Sequence, residues 1–295
     1  MGDLAADYER LRTSGGARWS PRDVVRVWGS DARRFLQGQC SQDIEALGDG
    51  ESSWSFVLQP QGKVDALVRV TRLGADEVVL DIDGGFGAAL IERLLRFKLR
   101  VKADIESLGW RCLSVRGPAA EHALAAAAGD AIVVDASWPG LAGRDLLGPD
   151  PRLGADLPFV GDEAWSAVRI ESGAPAMGAE LTDRTIPGET GILERAVSFT
   201  KGCYTGQELV ARIDSRGGNV PRHLRGVVLA ELVCVGCVLR SGGREVGALT
   251  SVAARPGGAV GLAYVSRDVV VPATVEVGEG AVWRPARVEL LPLVP

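Results

Sequence analysis

Apolar residues recur along this chain at spacings that change between period two and period 3.6, and the changes mark out its elements. Val24-Val25-Arg26-Val27-Trp28-Gly29 predicts a strand over 24–29, after which Ser30 caps a helix through Gln37 with Ala32, Phe35 and Leu36 on its inner face. Strands over 53–59 and 64–73 flank a Pro60-Gln61-Gly62-Lys63 turn. A strand over 77–82 then leads into an amphipathic helix over 85–97, where Leu90, Leu94 and Phe97 recur at helical spacing. Val27-x-Gly29-x-x-Ala32-x-x-x-Leu36 is echoed by Val115-x-Gly117-x-x-Ala120-x-x-x-Leu124, each a strand ending in glycine and feeding a helix. The echo points to two related α+β lobes in tandem.

Residues 136–163, rich in Pro and Gly, read as a long connection, and a helix over 163–172 ends at Gly173. The following irregular stretch, 174–191, is rich in Gly, Pro and Thr and reads as a ligand-facing wall, since long structureless loops in compact proteins are commonly functional. From about 222 the texture changes to short valine-rich strands (225–231, 245–252, 259–265, 271–277, 283–291) separated by glycine turns, as in a small β-barrel or sandwich. A domain boundary is placed near Pro221.

Composition narrows the function. At 295 residues the chain accommodates two or three domains, and 46% hydrophobic with 24% charged residues is ordinary for a globular protein. A net charge of −5 argues against a general nucleic-acid or anionic-membrane binder. The first twelve residues are charged and lack an apolar core, and no apolar stretch reaches membrane-spanning length, so a cytoplasmic location is expected. Only two histidines occur: His122 in an alanine-rich helix and His223 in a Pro-Arg-His-Leu-Arg connection. Histidine-based hydrolysis, metal catalysis and phosphotransfer are thereby disfavoured. Five scattered cysteines form no disulphide framework, and Cys234-Val235-Gly236-Cys237 reads as a turn with two small hydrophobes, because a zinc site needs about four ligands.

One segment carries most of the chemistry: Lys201-Gly202-Cys203-Tyr204-Thr205-Gly206-Gln207-Glu208. Thr205 and Glu208 have capping-box spacing, which places a helix start at Gly206 with Thr205 as N-cap. Cys203 then lies beside the electropositive helix end, with Lys201 two residues upstream. Both would favour the thiolate of a nucleophilic or metal-ligating cysteine. The chain holds four lysines against 29 arginines, so a lysine chosen here points to a compact or deprotonatable amine.

That octapeptide, followed by Val210-Ala211-Arg212, resembles the signature of the YgfZ-type folate-binding proteins, relatives of the glycine-cleavage T-protein that act in iron–sulphur cluster assembly or repair. Val27-x-Gly29-x-Asp31-Ala32-x-x-Phe35-Leu36-Gln37-Gly38, Arg169-x-Glu171-x-Gly173-x-Pro175, Gly247-x-x-Thr250-Ser251 and Leu262-Ala263 extend the likeness over most of the chain. The resemblance implies an α+β protein with two interleaved lobes over 20–221, split near 107, and an antiparallel β-barrel over 222–295, arranged around a central tetrahydrofolate pocket. It makes Glu171 a carboxylate that receives the pterin N–H groups, Asp65 a second orienting acid, and Tyr204 and Gln207 further folate contacts. Where the T-protein strand carries paired aspartates, this chain has Asp65 followed by Ala66, which weakens the case for aminomethyl transfer.

The leading expectation is a tetrahydrofolate-binding factor for iron–sulphur enzymes, with Cys203 and Lys201 supplying the thiolate chemistry and with assembly proteins or client enzymes as partners. No resident metal is expected. A folate-dependent aminomethyltransferase and a non-catalytic folate-binding scaffold are the alternatives.

Overall fold

The computed structural model describes residues 2–121, 130–153 and 157–293. His122 and Leu124, the end of the sequence echo, lie outside the described residues.

The first element is a helix, α1 (Leu4–Thr13), where the sequence pattern predicted no structure before residue 24. Asp3 caps it by accepting the amides of Ala5 and Ala6. Its large apolar positions are few, Leu4, Tyr8 and Leu11, and they become an inner face only because α4 (Asp162–Glu171) packs against them. Strand β1 (Gly16–Ser20) follows.

A five-stranded antiparallel sheet has the order β3-β4-β5-β2-β6, from β2 (Arg22–Trp28), β3 (Ser52–Leu58), β4 (Val64–Arg72), β5 (Glu77–Asp83) and β6 (Asp104–Leu108). Helices α2 (Ala32–Gln39) and α3 (Gly87–Phe97) cover one face, burying Val25, Val27, Val78 and Leu80 against Leu36, Leu90 and Leu94. Alternate residues on the same strands, Val24 and Val79, face the opposite way and meet Cys112 and Leu147 of a second sheet. That sheet has the order β1-β7-β9-β8, with β7 (Arg111–Arg116), β8 (Ile132–Asp135) and β9 (Gly143–Gly148). The stretch expected as a bare connection over 136–163 therefore contains β9. Because β1 precedes the first sheet in the chain but pairs with β7, the lobes are interleaved.

The echoed glycines occupy equivalent places. Gly29 and Gly117 have φ of 124° and 111° at the ends of β2 and β7, and a Cβ there would meet the Lys102 carbonyl at 2.5 Å or the Gly15 Cα at 2.7 Å. Ala32 and Ala120 three residues later are both fully buried.

The chain then forms α4, short α5 (Leu193–Ala196), α6 (Gln207–Ser215) and a closed six-stranded antiparallel barrel in the order β10-β13-β12-β11-β14-β15. The barrel strands are β10 (Arg222–Leu229), β11 (Val238–Ser241), β12 (Arg244–Arg255), β13 (Gly258–Ser266), β14 (Ala273–Glu279) and β15 (Val282–Glu289). Its outer residues Leu224, Val260 and Leu262 pack on Ala167 and Ile170 of α4. Cys234 and Cys237, expected to be two incidental hydrophobes, are joined as a disulphide across the turn that precedes β11. Among the described residues no helix is long and apolar enough to cross a membrane.

Candidate functional site

The cysteine loop is anchored from below. Lys201 is buried, and its ammonium donates to the carbonyls of Gln37, Cys40 and Gln42 at 2.7, 2.7 and 2.8 Å. These carbonyls lie at and beyond the C-terminal end of α2, where a cation is favoured by the helix dipole. Burial lowers the Lys201 pKa. All three of its protons are committed to backbone, so Lys201 staples the loop to α2 and is not a free cation beside Cys203. Cys203 itself is exposed, while the other two free cysteines, Cys40 and Cys112, are buried, with burial pushing their thiols up to about 11 and about 12.

The helix after the loop starts as expected but by another device. Gly206 is the N-cap of α6 with φ of 81°, and no side chain caps the helix. The Thr205 hydroxyl points instead to the Gly38 carbonyl at 3.4 Å, and Glu208 pairs with Arg212 on the solvent side. The capping box is absent because the loop turns through a left-handed glycine. A Cβ on Gly206 would sit 2.4 Å from the Gln59 carbonyl, and one on Gly62 would sit 2.5 Å from the Leu209 Cβ. The two glycines let the turn after β3 press directly on the start of α6.

Tyr204 is buried among Phe56, Leu58, Val64 and Val210, and burial raises its phenol to about 12. Gln207 is half-buried, and its amide closes the loop onto the Tyr204 carbonyl at 3.3 Å. Both shape the loop.

The cavity lies elsewhere. About 280 Å³ opens between the facing sheets, α4 and the segment 174–177. That volume is close to the lower bound of about 300 Å³ for small-molecule sites. Register explains its lining. Trp54 opposes Arg69, and Arg69 opposes Asp81 on one face of the first sheet. Arg18 opposes Ser114, and Ser114 opposes Asp145 on the inner face of the second. Buried ion pairs run across the gap: Arg22 and Arg69 hold Asp81, while Arg69 and Arg116 hold Asp145 at 3.0 and 2.9 Å. Burial alone would raise the Asp145 carboxyl, but Arg116 and Arg69 hold it well below the usual range.

Four guanidiniums (Arg18, Arg22, Arg116, Arg169) and two carboxylates (Asp83, Asp145) line the cavity. Arg116 leaves its Nε buried and without a hydrogen-bond partner. Trp54, Phe86, Trp138 and Trp165 supply aromatic walls, with Trp138 and Trp165 edge-to-face at 5.5 Å. The site is arginine-rich and aromatic; each guanidinium is ion-paired, with Asp162, with Asp81 and Asp83, with Asp145 or with Glu180, so a planar anionic ligand would use the N–H groups that these pairs leave free.

Only part of the expected site converges here. Residues 174–177 do form a wall of the cavity. Glu180, which sequence reasoning missed, holds that segment: it is fully buried and accepts from the Ala176 amide, Arg169 and the Thr250 and Ser251 hydroxyls. A register shift between Leu249 and Ser251 directs both hydroxyls at Glu180, which gives the Gly247-x-x-Thr250-Ser251 pattern its physical meaning.

Glu171 does not line the cavity. Its carboxylate is buried and fully engaged by Tyr8 at 3.0 and 2.9 Å, by Arg255 at 2.7 Å and by Arg12, joining α1, α4 and the barrel. Asp65 is also turned away. Val57 pairs with Ala66 and Leu58 with Val64, so Asp65 is the extra residue of a bulge, and its carboxylate meets Arg93 of α3 at 2.9 Å. Cys203 and Lys201 are not among the residues lining the cavity. A single sequence cannot show that one strand residue is a bulge or that one acid is already neutralised.

Comparison with known proteins agrees with the architecture. Residues 8–142 match the GCVT N-terminal domain family. The tRNA-modifying protein YgfZ of Edwardsiella ictaluri is 30% identical over 240 residues, covering 73% of this chain and 71% of the relative. An uncharacterised protein of Haemophilus influenzae is 28% identical over 199 residues, covering 66% and 67%. The crystal structure of the glycine cleavage system aminomethyltransferase T from Bartonella henselae superposes with a TM-score of 0.84 at 20% identity, covering 99% of this chain and 89% of that one. Its two sheets, its closed six-stranded barrel and its YgfZ relatives make this chain a member of the YgfZ family, built on the fold of the glycine-cleavage T-protein.

Proposed function

We propose that the chain is a tetrahydrofolate-binding maturation or repair factor for iron–sulphur enzymes, with the folate in the inter-lobe cavity and Cys203 as the group that meets the cargo. The observation that carries this reading is the division of labour between an arginine-rich aromatic cavity and an exposed free cysteine on a stapled loop. Trp54, Phe86, Trp138 and Trp165 offer faces for a pteridine, and the N–H groups of Arg18, Arg116 and Arg169 that Asp162, Asp145 and Glu180 leave free would meet the carboxylates of the folate's glutamate tail. Bound folate would supply one-carbon or reducing chemistry at the ring. The chain's own residues hold it, orient it and exclude water.

Cys203 provides one thiolate. Iron–sulphur clusters take about four such ligands. Among the described residues no three further ligands of His, Cys, Asp or Glu gather into a metal site. Cluster contact is therefore transient and shared with an assembly protein or client. Relatives in the family are named for tRNA modification. A chain of net charge −5 is ill suited to holding tRNA itself, so we place its action on the enzymes that modify tRNA. The cytoplasm is the compartment that fits such clients. An aminomethyltransferase would need a carboxylate at the folate nitrogen, and Asp65 is committed to Arg93 instead.

Calorimetric titration with tetrahydrofolate, paired with iron content and activity of client enzymes in a deletion strain, tests the reading. Trp54→Ala should weaken folate binding at least tenfold. Cys203→Ala should keep folate affinity within twofold and fail to restore the clients. Full restoration by Cys203→Ala, or no folate binding by the wild type, would overturn it.

A further inference from the structure

The disulphide belongs to neither site. It closes the turn between β10 and β11 at one end of the barrel, with the cysteine Cα atoms 5.7 Å apart. Cys237 is buried in the barrel core beside Leu239 and Val277, while Cys234 is exposed. The turn is fixed independently of the sulphurs: the Gly236 amide donates to the Leu249 carbonyl at 2.8 Å, and the Leu249 amide donates to the Cys237 carbonyl at 3.0 Å. Gly236, with φ of 89°, permits the reversal. Opening the bond therefore leaves the backbone of the turn in place.

Three large apolar side chains, Leu232, Val235 and Val282, are exposed on this end of the molecule. A cavity of about 210 Å³ beside the pair is lined by Leu232, Val233, both cysteines and Arg284. Arg284 is paired with Glu231 at the rim. A cysteine pair with two residues between its members, the first accessible and the second buried, is arranged for attack from one side only.

We propose that Cys234 and Cys237 form a thiol–disulphide exchange site whose reaction partner is a dithiol protein. The partner's thiolate attacks the Cys234 sulphur, a mixed disulphide forms, and the Cys234–Cys237 bond breaks with its electron pair on Cys237, which takes up a proton. The partner's second thiol then attacks its own sulphur in the mixed disulphide, releases Cys234 as a thiol and leaves the partner oxidised. Two electrons and two protons pass to this chain. Leu232 and Val235 give the partner an apolar footing around the attacked sulphur.

The test uses the full chain carrying Cys203→Ser, so that the other exposed thiol cannot react. The protein is treated with a thioredoxin-class dithiol protein kept reduced by its reductase and NADPH, and new thiols are located by alkylation and peptide mass. Reduction at Cys234 and Cys237 should be at least tenfold faster than with glutathione at equal thiol concentration. A thioredoxin variant lacking its second cysteine should be trapped covalently on Cys234. Leu232→Asp with Val235→Asp should slow the protein-driven reaction at least fivefold and leave reduction by dithiothreitol unchanged. Trapping on Cys237, equal rates with glutathione, or no reduction by the dithiol protein would each overturn the proposal.

Discussion

The cysteine loop and the inter-lobe cavity use the same residue types to opposite ends. In the loop, the Lys201 cation is exhausted by three backbone carbonyls, and the reactive-looking sulphur is left outside, in solvent. In the cavity, each lining guanidinium has a carboxylate partner, yet the buried Arg116 Nε is left without a hydrogen-bond partner. A charge becomes available for a ligand only when its neighbours leave part of it unsatisfied. The loop is therefore a rigid mount, and the cavity is a receptor.

The sharpest way to break this contrast is at the cavity floor. Asp145→Ala leaves Arg69 and Arg116 without their shared carboxylate and should cost about 3–5 kcal/mol of stability, read by urea unfolding. Because the folded carboxyl titrates below its unfolded value of about 3.9, its contribution is full above that pH and is lost as pH falls towards the depressed folded value. Wild-type stability should accordingly fall more steeply below pH 4 than that of the variant. A variant as stable as wild type would show that the ion chain is not what holds the lobes together.

Glu171→Gln should follow, at about 3 kcal/mol, since it breaks the join between Arg12, Arg255 and Tyr8. Tetrahydrofolate affinity should stay within twofold at temperatures where the variant is folded. A tenfold loss of affinity would return Glu171 to the ligand site.

Lys201→Met uncaps three carbonyls and should lower stability by about 2–3 kcal/mol. Iodoacetamide labelling of Cys203 should not slow in this variant. Slower labelling would mean that Lys201 activates the sulphur after all.

The smallest effects concern the helix start. Gly206→Ala puts a Cβ against the Gln59 carbonyl and should cost about 1–3 kcal/mol. Thr205→Ala should cost less than about 0.5 kcal/mol, because Thr205 caps nothing in α6. A loss of about 1 kcal/mol would restore Thr205 as a cap. Thermal melts of the pair separate the two.

Much of the fold was legible because its signals are local. The strands on either side of Gly62, the helix bearing Leu90 and Leu94, and the glycine turns of the barrel follow from spacing alone. Helix α1 was illegible, since its three large apolar residues form a face only against Val168 and Trp165, more than 150 positions away in the chain. Strand β9 was hidden among prolines and glycines, because its identity rests on pairing with β7 and β8.

The site divides in the same way. The octapeptide by itself determined that a cysteine stands on a glycine-hinged loop before a helix, and the family likeness came with it. Tertiary structure alone decided which charges were already spent: Lys201 on the end of α2, Glu171 on Arg12 and Arg255, Asp65 on Arg93 across a bulge. Residue type and spacing set what a side chain can do. Whether it is free to do so depends on partners that reach it only when distant strands and helices close around it.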